Sequence, residues 1–233
     1  VISVHACVIF IFLNSAIPHL RLDSQKEIII KILQCILFIF SSKSHDLMEF
    51  WRIEVVRKES FSWHRLLRNK KNRRRNFLFW WRLASEMHRH GSKSQKKAAS
   101  AIAARLKDKY ACDIALDAKI GPCLHIPHHM GIVITSRAHI GEHCIIRQNT
   151  TLGGTVRMRD DEVMTIGNNV DLGANSCLVG PITIGDNVVI GAMSFVNNDI
   201  PADTIFVNPR IRNMKPVPDT FQRMTIPRII PRS

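Results

Sequence analysis

The chain is short of acid. Only 19 Asp and Glu stand against 33 Lys and Arg in 233 residues, a formal net charge of +14. That imbalance points to an anionic partner such as nucleic acid, a membrane surface or a phosphorylated ligand. The sequence also lacks the low hydrophobicity of a disordered chain. Its 45% hydrophobic content allows one sizeable core or two small ones. It has no CxxC pair. The six cysteines (Cys7, Cys35, Cys112, Cys123, Cys144 and Cys177) read as free thiols in a reducing cytoplasm rather than as three disulfides. No apolar run reaches the roughly 18–20 residues that span a bilayer. The two longest, 8–13 and 28–40, are short, and Lys31 and Gln34 interrupt the second. No small-residue cleavage site follows either run, and no basic flank precedes the first. No nucleic-acid motif accompanies the basic residues, so no nucleic-acid partner is expected. The histidines His125, His128, His129, His139 and His143 match no firm ligand spacing, so no metal is expected either.

What is present is unevenly placed. Residues 1–47 carry a net +1, 48–110 a net +13, 111–203 a net −5 and 204–233 a net +5. This division suggests four parts. Residues 1–47 are read as an upstream extension or apolar segment outside the fold, with the start at Met48. A membrane-associating segment and a folded subdomain are the competing readings. Residues 48–110 are basic and helical. Phe50, Ile53, Val56, Phe61, Leu66 and Leu67 recur at helical spacing. Residues 70–75, "KKNRRR", look like a solvated connector, and Gly91 is a helix stop. An Ala-rich helix then runs from about Ser94 to Tyr110. The aromatic cluster Phe77, Phe79, Trp80 and Trp81 reads as packing rather than as a base-stacking platform. Residues 204–233 form a tail.

Residues 111–203 hold the informative pattern. Aliphatic residues recur every six positions: Ile120, Ile126 and Ile132; after a two-residue shift Ile134, Ile140, Ile146 and Leu152; after a 14-residue gap Ile166, Leu172, Leu178, Ile184, Ile190 and Val196. Gly often follows the aliphatic, as at Gly121, Gly141, Gly153, Gly167, Gly173, Gly185 and Gly191. The fourth residue on is small or β-branched, as at Ala138, Thr150 and Ser176. Six does not fit a 3.6-residue helical period, and a sandwich would space its strands 8–12 residues apart. The pattern predicts a parallel β-helix: short strands on flat faces, one inward aliphatic per face, and glycine at corners where a Cβ would clash or φ must be unusual. The polar gap after Leu152 predicts a loop extruded from the coil, a common carrier of function.

The segments "DIALDAKIG", "IPHHMGIVI", "IGEHCIIRQNTTLGGT", "IGNNVDLGANSCLVGPITIGDNVVIGAMSFV" and "DIPADTIFVNP" resemble the hexapeptide-repeat acyltransferases, specifically the serine acetyltransferase branch. The likeness covers about 100 residues, from Asp113 to Arg212, in order and spacing. It implies a left-handed parallel β-helix, against the usual crossover hand, preceded by the basic helical segment. It also implies a homotrimer with sites between subunits, acetyl-CoA as co-substrate, and an acetyl group moved to a hydroxyl acceptor, L-serine by resemblance. The family's catalytic histidine falls on His128 and its orienting aspartate on Asp113. Gly153 and Gly154 fall where backbone N–H groups meet an oxyanion. Gly173, Ala174, Gly191 and Ala192 fall on the coenzyme groove.

Some positions depart from that pattern. Pro127 replaces the aspartate before the catalytic histidine, and Glu162 and Val163 replace an arginine and a histidine of the extruded loop. Val207 and Arg210 replace the Gly and Ala around the terminal "NP". The lost groups serve an amino-acid acceptor, so a capsular or exopolysaccharide sugar hydroxyl is the alternative acceptor. Further alternatives are a non-enzymatic trimeric scaffold on an anionic surface and a zinc hydratase. The expected location is the cytoplasm, peripheral at the inner membrane face if residues 48–110 contact anionic lipid.

Overall fold

The computed structural model describes residues 22–155, 159 and 161–208. The opening apolar run 8–13, Arg210 and the tail from 209 onward lie outside those residues.

The helical part begins earlier than the sequence suggests. Helix α1 (Leu22–Ile39) leads through a 3-10 turn (Ser42–Ser44) into α2 (His45–Phe50) and a π-helical turn (Trp51–Val56). Cys35, Phe38 and Ile39 of α1 are buried in the same core as Leu47, Trp51 and Val55. Residues 28–47 therefore pack within the helical segment, and Met48, inside α2, marks no structural boundary. The second apolar run buries Cys35, Phe38 and Ile39 against the helical core, while Ile29, Ile30, Leu33, Leu37 and Phe40 on its other face are exposed. Among the described residues no single helix is long and apolar enough to cross a membrane. One bent pair, Glu27–Ile39 with Ser42–Val56 at 78°, has the length and composition to do so.

Three more helices follow: α3 (Trp63–Asn69), α4 (Arg73–His90) and α5 (Lys93–Tyr110). Only 70–72 of the expected connector is a turn. Asn72 caps α4, its side chain accepting from the backbone N–H of Arg74 and Arg75, so the three arginines open a helix instead of linking two. Ser92 and Gln95 form a capping box on α5, and Gly91 ends α4 as expected. The aromatic cluster is packing. Phe77, Phe79 and Trp81 are buried, and the Phe79 ring stacks on Trp51 at 4.3 Å.

Ala111, at φ 51, turns α5 into the first strand. Five coils then stack. They comprise β1 (Cys112–Ile114) and β2 (Lys119–Ile120); β3 (Ile132–Ile134), β4 (Ala138–Ile140) and β5 (Ile145–Ile146); β6 (Thr151–Gly153), β7 (Met164–Ile166) and β8 (Asp171–Leu172); β9 (Cys177–Val179), β10 (Thr183–Ile184) and β11 (Val189–Ile190); β12 (Phe195–Val196) and β13 (Ile205–Phe206). They form three parallel sheets: a first face β1-β3-β6-β9-β12, a second β2-β4-β7-β10 and a third β5-β8-β11-β13. The inward aliphatics align coil on coil, with Ile134 opposite Leu152, Ile140 opposite Ile166 and Leu172 opposite Ile190.

The register defects become spatial features. The two-residue shift is an enlarged corner at 127–131. Ile132 takes the place that Thr150, Ser176 and Ser194 hold elsewhere, two residues before the inward aliphatic. The 14-residue gap leaves after β6 and returns at β7.

The corner glycines answer a clash, not an unusual φ. A Cβ on Gly121 would lie 2.7 Å from the carbonyl carbon of Gly141. The left-handed corners sit two residues later and favour asparagine: Asn149, Asn169, Asn175 and Asn187 all have positive φ. Their side chains bond along the stack, Asn149 Nδ2 donating to Asn175 Oδ1 at 3.0 Å and Asn187 Nδ2 to Asp203 Oδ1 at 2.8 Å.

Candidate active site

The enlarged corner is held from both sides. The N–H of Gly131 donates to Ala111 O at 2.8 Å, and that of Asn149 to Met130 O at 2.8 Å. Gly131 has φ +64, and a Cβ there would meet the Asn149 side chain. The corner thus needs glycine on two counts. The turn sends the two adjacent histidines opposite ways. His128 is exposed and, among the described residues, makes no side-chain hydrogen bond. His129 is only 9% exposed. It sits between the rings of Phe77 and Tyr110, at 4.7 and 5.3 Å, and its Nε2 has no hydrogen-bond partner. Tyr110 is anchored in turn by its hydroxyl, which donates to Asn76 Oδ1 at 2.9 Å.

Burial, and then the charges of Arg73 and Arg74, push the His129 pKa down from 6.5 to about 4. Its imidazole is therefore neutral near pH 7 and a weak base. A stability prediction follows. Between about pH 6.5 and about 4 the unfolded chain binds a proton at this residue and the folded chain does not. Folding stability falls as pH drops through that window, by at most roughly 3 kcal/mol from this residue, and this contribution is flat above it. In His129→Phe that part of the slope disappears. Urea midpoints across pH check this, and an unchanged slope in the variant would refute it.

Asp113 lies exposed on β1, its carboxylate taking a hydrogen bond from Lys107 Nζ at 2.6 Å. Within one chain it is bonded to Lys107 and not to His128. Gly173, Ala174, Gly191 and Ala192 occupy the same edge of the prism as His128, two and three coils further on. There the Ala174 carbonyl accepts from Met193 N–H at 2.9 Å, and the N–H groups of Gly173 and Gly191 donate to Ile190 O and Phe206 O of the next coil. Gly153 and Gly154 lie at another edge, where the extruded loop departs. Gly153 O accepts from Gly180 N–H at 3.0 Å. Val163 is half-buried beside β7. Glu162 is paired with Arg159 at 3.1 Å, and Arg137 Nη1 ties the Arg159 carbonyl at 2.8 Å. Val207 stands over Gly191.

Among the described residues no three His, Cys, Asp or Glu side chains converge to hold a metal. Sequence reasoning missed the positive groups around the corner, because Arg57, Arg73 and Arg74 lie far from it along the chain. A faint signal was there: Asn72 before three arginines and an apolar periodic stretch reads as a capped helix.

Residues 164–198 match the bacterial transferase hexapeptide (six repeats) description. A serine acetyltransferase of Helicobacter pylori is 34% identical over 137 residues, covering 59% of this chain and 78% of that protein. The chain belongs to the serine acetyltransferase family. A member from Synechococcus elongatus is 43% identical over 90 residues, but this chain spans only 37% of its length. The fold is shared with a Neisseria gonorrhoeae serine acetyltransferase solved in complex with serine (TM-score 0.64, 23% identity, 88% of this chain and 82% of that one). It is also shared with a serine acetyltransferase solved in complex with CoA (TM-score 0.61, 24% identity, 87% and 81%). The coil is the left-handed β-helix of that family, behind a helical N-terminal segment.

Proposed function

We propose that this chain is an acetyl-CoA-dependent O-acetyltransferase of serine acetyltransferase type, with His128 as general base. The observation that carries the reading is the exposed His128 on a glycine-dependent corner, on the same edge as Gly173, Ala174, Gly191 and Ala192. Acetyl-CoA, as substrate, supplies the acetyl group as a thioester. A hydroxyl is a weak nucleophile at neutral pH, so it needs a base at the moment of attack. His128 takes the hydroxyl proton as the oxygen adds to the thioester carbonyl, and returns it to the departing thiolate. Backbone N–H groups near Gly153 and Gly154 serve the oxyanion from a neighbouring subunit, since within one chain they lie at another edge from His128. Asp113 orients an imidazole and stabilises its charged form. Because Asp113 is engaged with Lys107 in one chain, that role requires it to exchange partners or to face a neighbouring subunit. A homotrimer with sites between subunits suits both this and the exposed apolar side chains Val133 and Phe195 on the first face.

L-serine is the acceptor that family membership supports. A sugar hydroxyl is the second reading, favoured by uncharged Pro127 and Val163 where an amino-acid acceptor needs charged partners. Thiol release from acetyl-CoA, measured with serine, homoserine and capsular oligosaccharides, tests both. One acceptor is expected to raise release at least tenfold over hydrolysis. Stimulation by none of them would remove the transferase reading.

A further inference from the structure

A cavity of about 260 Å³ opens between α1, α4 and α5. Its walls are apolar: Ile28, Ile32 and Cys35 from α1, Trp80 from α4, and Ala101 and Leu106 from α5. The gap has a local cause. Ala98 and Ala101 recur at i, i+3 on the face of the Ala-rich helix that lines it, and methyl groups leave unfilled what larger side chains would occupy. Burial pushes the Cys35 thiol up to about 12, so that wall is uncharged. The polar groups of the interior are already paired. Asn76 Nδ2 donates to Lys70 O at 3.0 Å, and Asn76 Oδ1 accepts from the Tyr110 hydroxyl at 2.9 Å. An apolar space of this kind forfeits packing contacts while it is empty.

The mouth of the cavity is cationic. Lys31 of α1 and Arg105 and Lys109 of α5 also line it, and both α5 side chains are exposed. Among the described residues no acid lines it. Lys31 is neutralised by Glu27 at 2.8 Å. Arg105 and Lys109 have no carboxylate partner among the described residues, and Lys109 Nζ lies 5.4 Å from the Tyr110 ring centre. The two stand one turn apart, at i, i+4, where like charges repel. Long basic side chains lay their stems on apolar surface and keep their heads in water. A ligand that enters tail first therefore leaves its head beside theirs.

We infer that this cavity binds a free medium-chain fatty acid, its hydrocarbon chain between α1 and α5 and its carboxylate on Arg105 and Lys109. Chain length follows from volume. An apolar cavity of about 150 Å³ holds benzene, so in proportion this one takes about ten carbons. The sign of the head follows from the mouth. A cationic head would meet repulsion, and a neutral one would leave the repulsion between Arg105 and Lys109 in place. A carboxylate relieves it, and a guanidinium matches a carboxylate in paired hydrogen bonds. A bilayer surface fits less well, because the apolar lining is walled by three helices instead of lying on one flat face. The site stands apart from the transferase reading: neither His128 nor the groove residues Gly173, Ala174, Gly191 and Ala192 line the cavity.

The test is calorimetry on the full chain with three probes, all far below micelle-forming concentrations. Decanoate is expected to bind at least tenfold more tightly than hexanoate, which buries four fewer methylenes. It should also bind at least tenfold more tightly than decyltrimethylammonium, which has the same chain and the opposite charge. R105Q/K109Q should weaken decanoate at least tenfold and erase its advantage over decyltrimethylammonium, with the fold kept, since both side chains are exposed. Ala101→Trp fills the cavity and should abolish binding; if that variant does not fold, R105Q/K109Q decides alone. Absence of decanoate binding overturns the inference. So does equal affinity for the two head groups, equal affinity for the two chain lengths, or wild-type affinity in R105Q/K109Q or in folded Ala101→Trp. Co-sedimentation with phosphatidylglycerol vesicles in the absence of decanoate binding would assign the cations to a membrane surface, and overturns it as well.

Discussion

His128→Ala is expected to lower acceptor-dependent thiol release by about 10²–10⁴-fold, the contribution of a well-placed general base. The loss should fall on kcat, with KM for acetyl-CoA within about twofold of wild type, because the groove residues lie on later coils. His129 cannot substitute. It is caged by Phe77 and Tyr110, its pKa is pushed down to about 4, and its Nε2 faces no partner. His125 is half-buried, and burial together with three arginines lowers its pKa as well. Only His128 combines exposure with a place at the tip of the enlarged corner. Circular dichroism should be unchanged, since an exposed side chain without bonds contributes little to folding. Wild-type-like turnover in the variant would sink the mechanism.

The largest effect on stability is expected at Arg82. This side chain is 1% exposed and meets Glu54, 3% exposed, through two hydrogen bonds of 3.0 and 2.7 Å. It also donates to the carbonyls of Ile120 and Gly121, both at 2.6 Å, and its guanidinium lies 3.9 Å from the Phe50 ring centre. Glu54 in turn accepts the N–H of Leu124 at 3.1 Å. The pair thus clasps the helical segment to the first coil, just ahead of the corner that carries His128. Arg82→Leu leaves a buried carboxylate without its cation and two carbonyls without a donor. Breaking such a pair costs about 3–5 kcal/mol, and at about 2–4 °C per kcal/mol for a chain of this size the thermal midpoint drops by roughly 6–20 °C. Glu54→Leu combined with Arg82→Leu should recover part of that loss, because no lone charge remains buried. A single variant within about 1 kcal/mol of wild type would show that the clasp is dispensable.

The coil was legible because its cause is local. Each short strand needs one inward aliphatic, and each turn returns the chain to the same face. Ile134, Ile140, Ile146 and Leu152 therefore repeat whatever lies around them. The same logic located both defects, the shift before Ile134 and the gap after Leu152. The helix stop at Gly91 and the Ala-rich helix after it were legible for a similar reason, since caps and propensity act within a turn or two.

Other features depend on partners distant in sequence. Nothing within the run "PHHMG" tells which histidine faces water. Phe77 and Tyr110 decide it by packing over His129. The apolar stretch 28–40 looks like a segment apart until α5 and α4, with the 3-10 turn, supply the surface that buries Cys35, Phe38 and Ile39. The excess of positive charge was countable from the start, but its reach to His129 and His125 was not. Arg57, Arg73 and Arg74 lie far from that corner in the chain, and helix packing against the first coil, through contacts such as those of Arg82, Ser85 and Arg89, sets where they sit. Sequence by itself determined the β-helix and its register, since a period of six records backbone geometry residue by residue, while the candidate base came from the resemblance to the serine acetyltransferases. Tertiary structure alone decided which side chain is exposed and what charge surrounds it, because burial and electrostatic field are set by whatever packs alongside, wherever it lies in the chain.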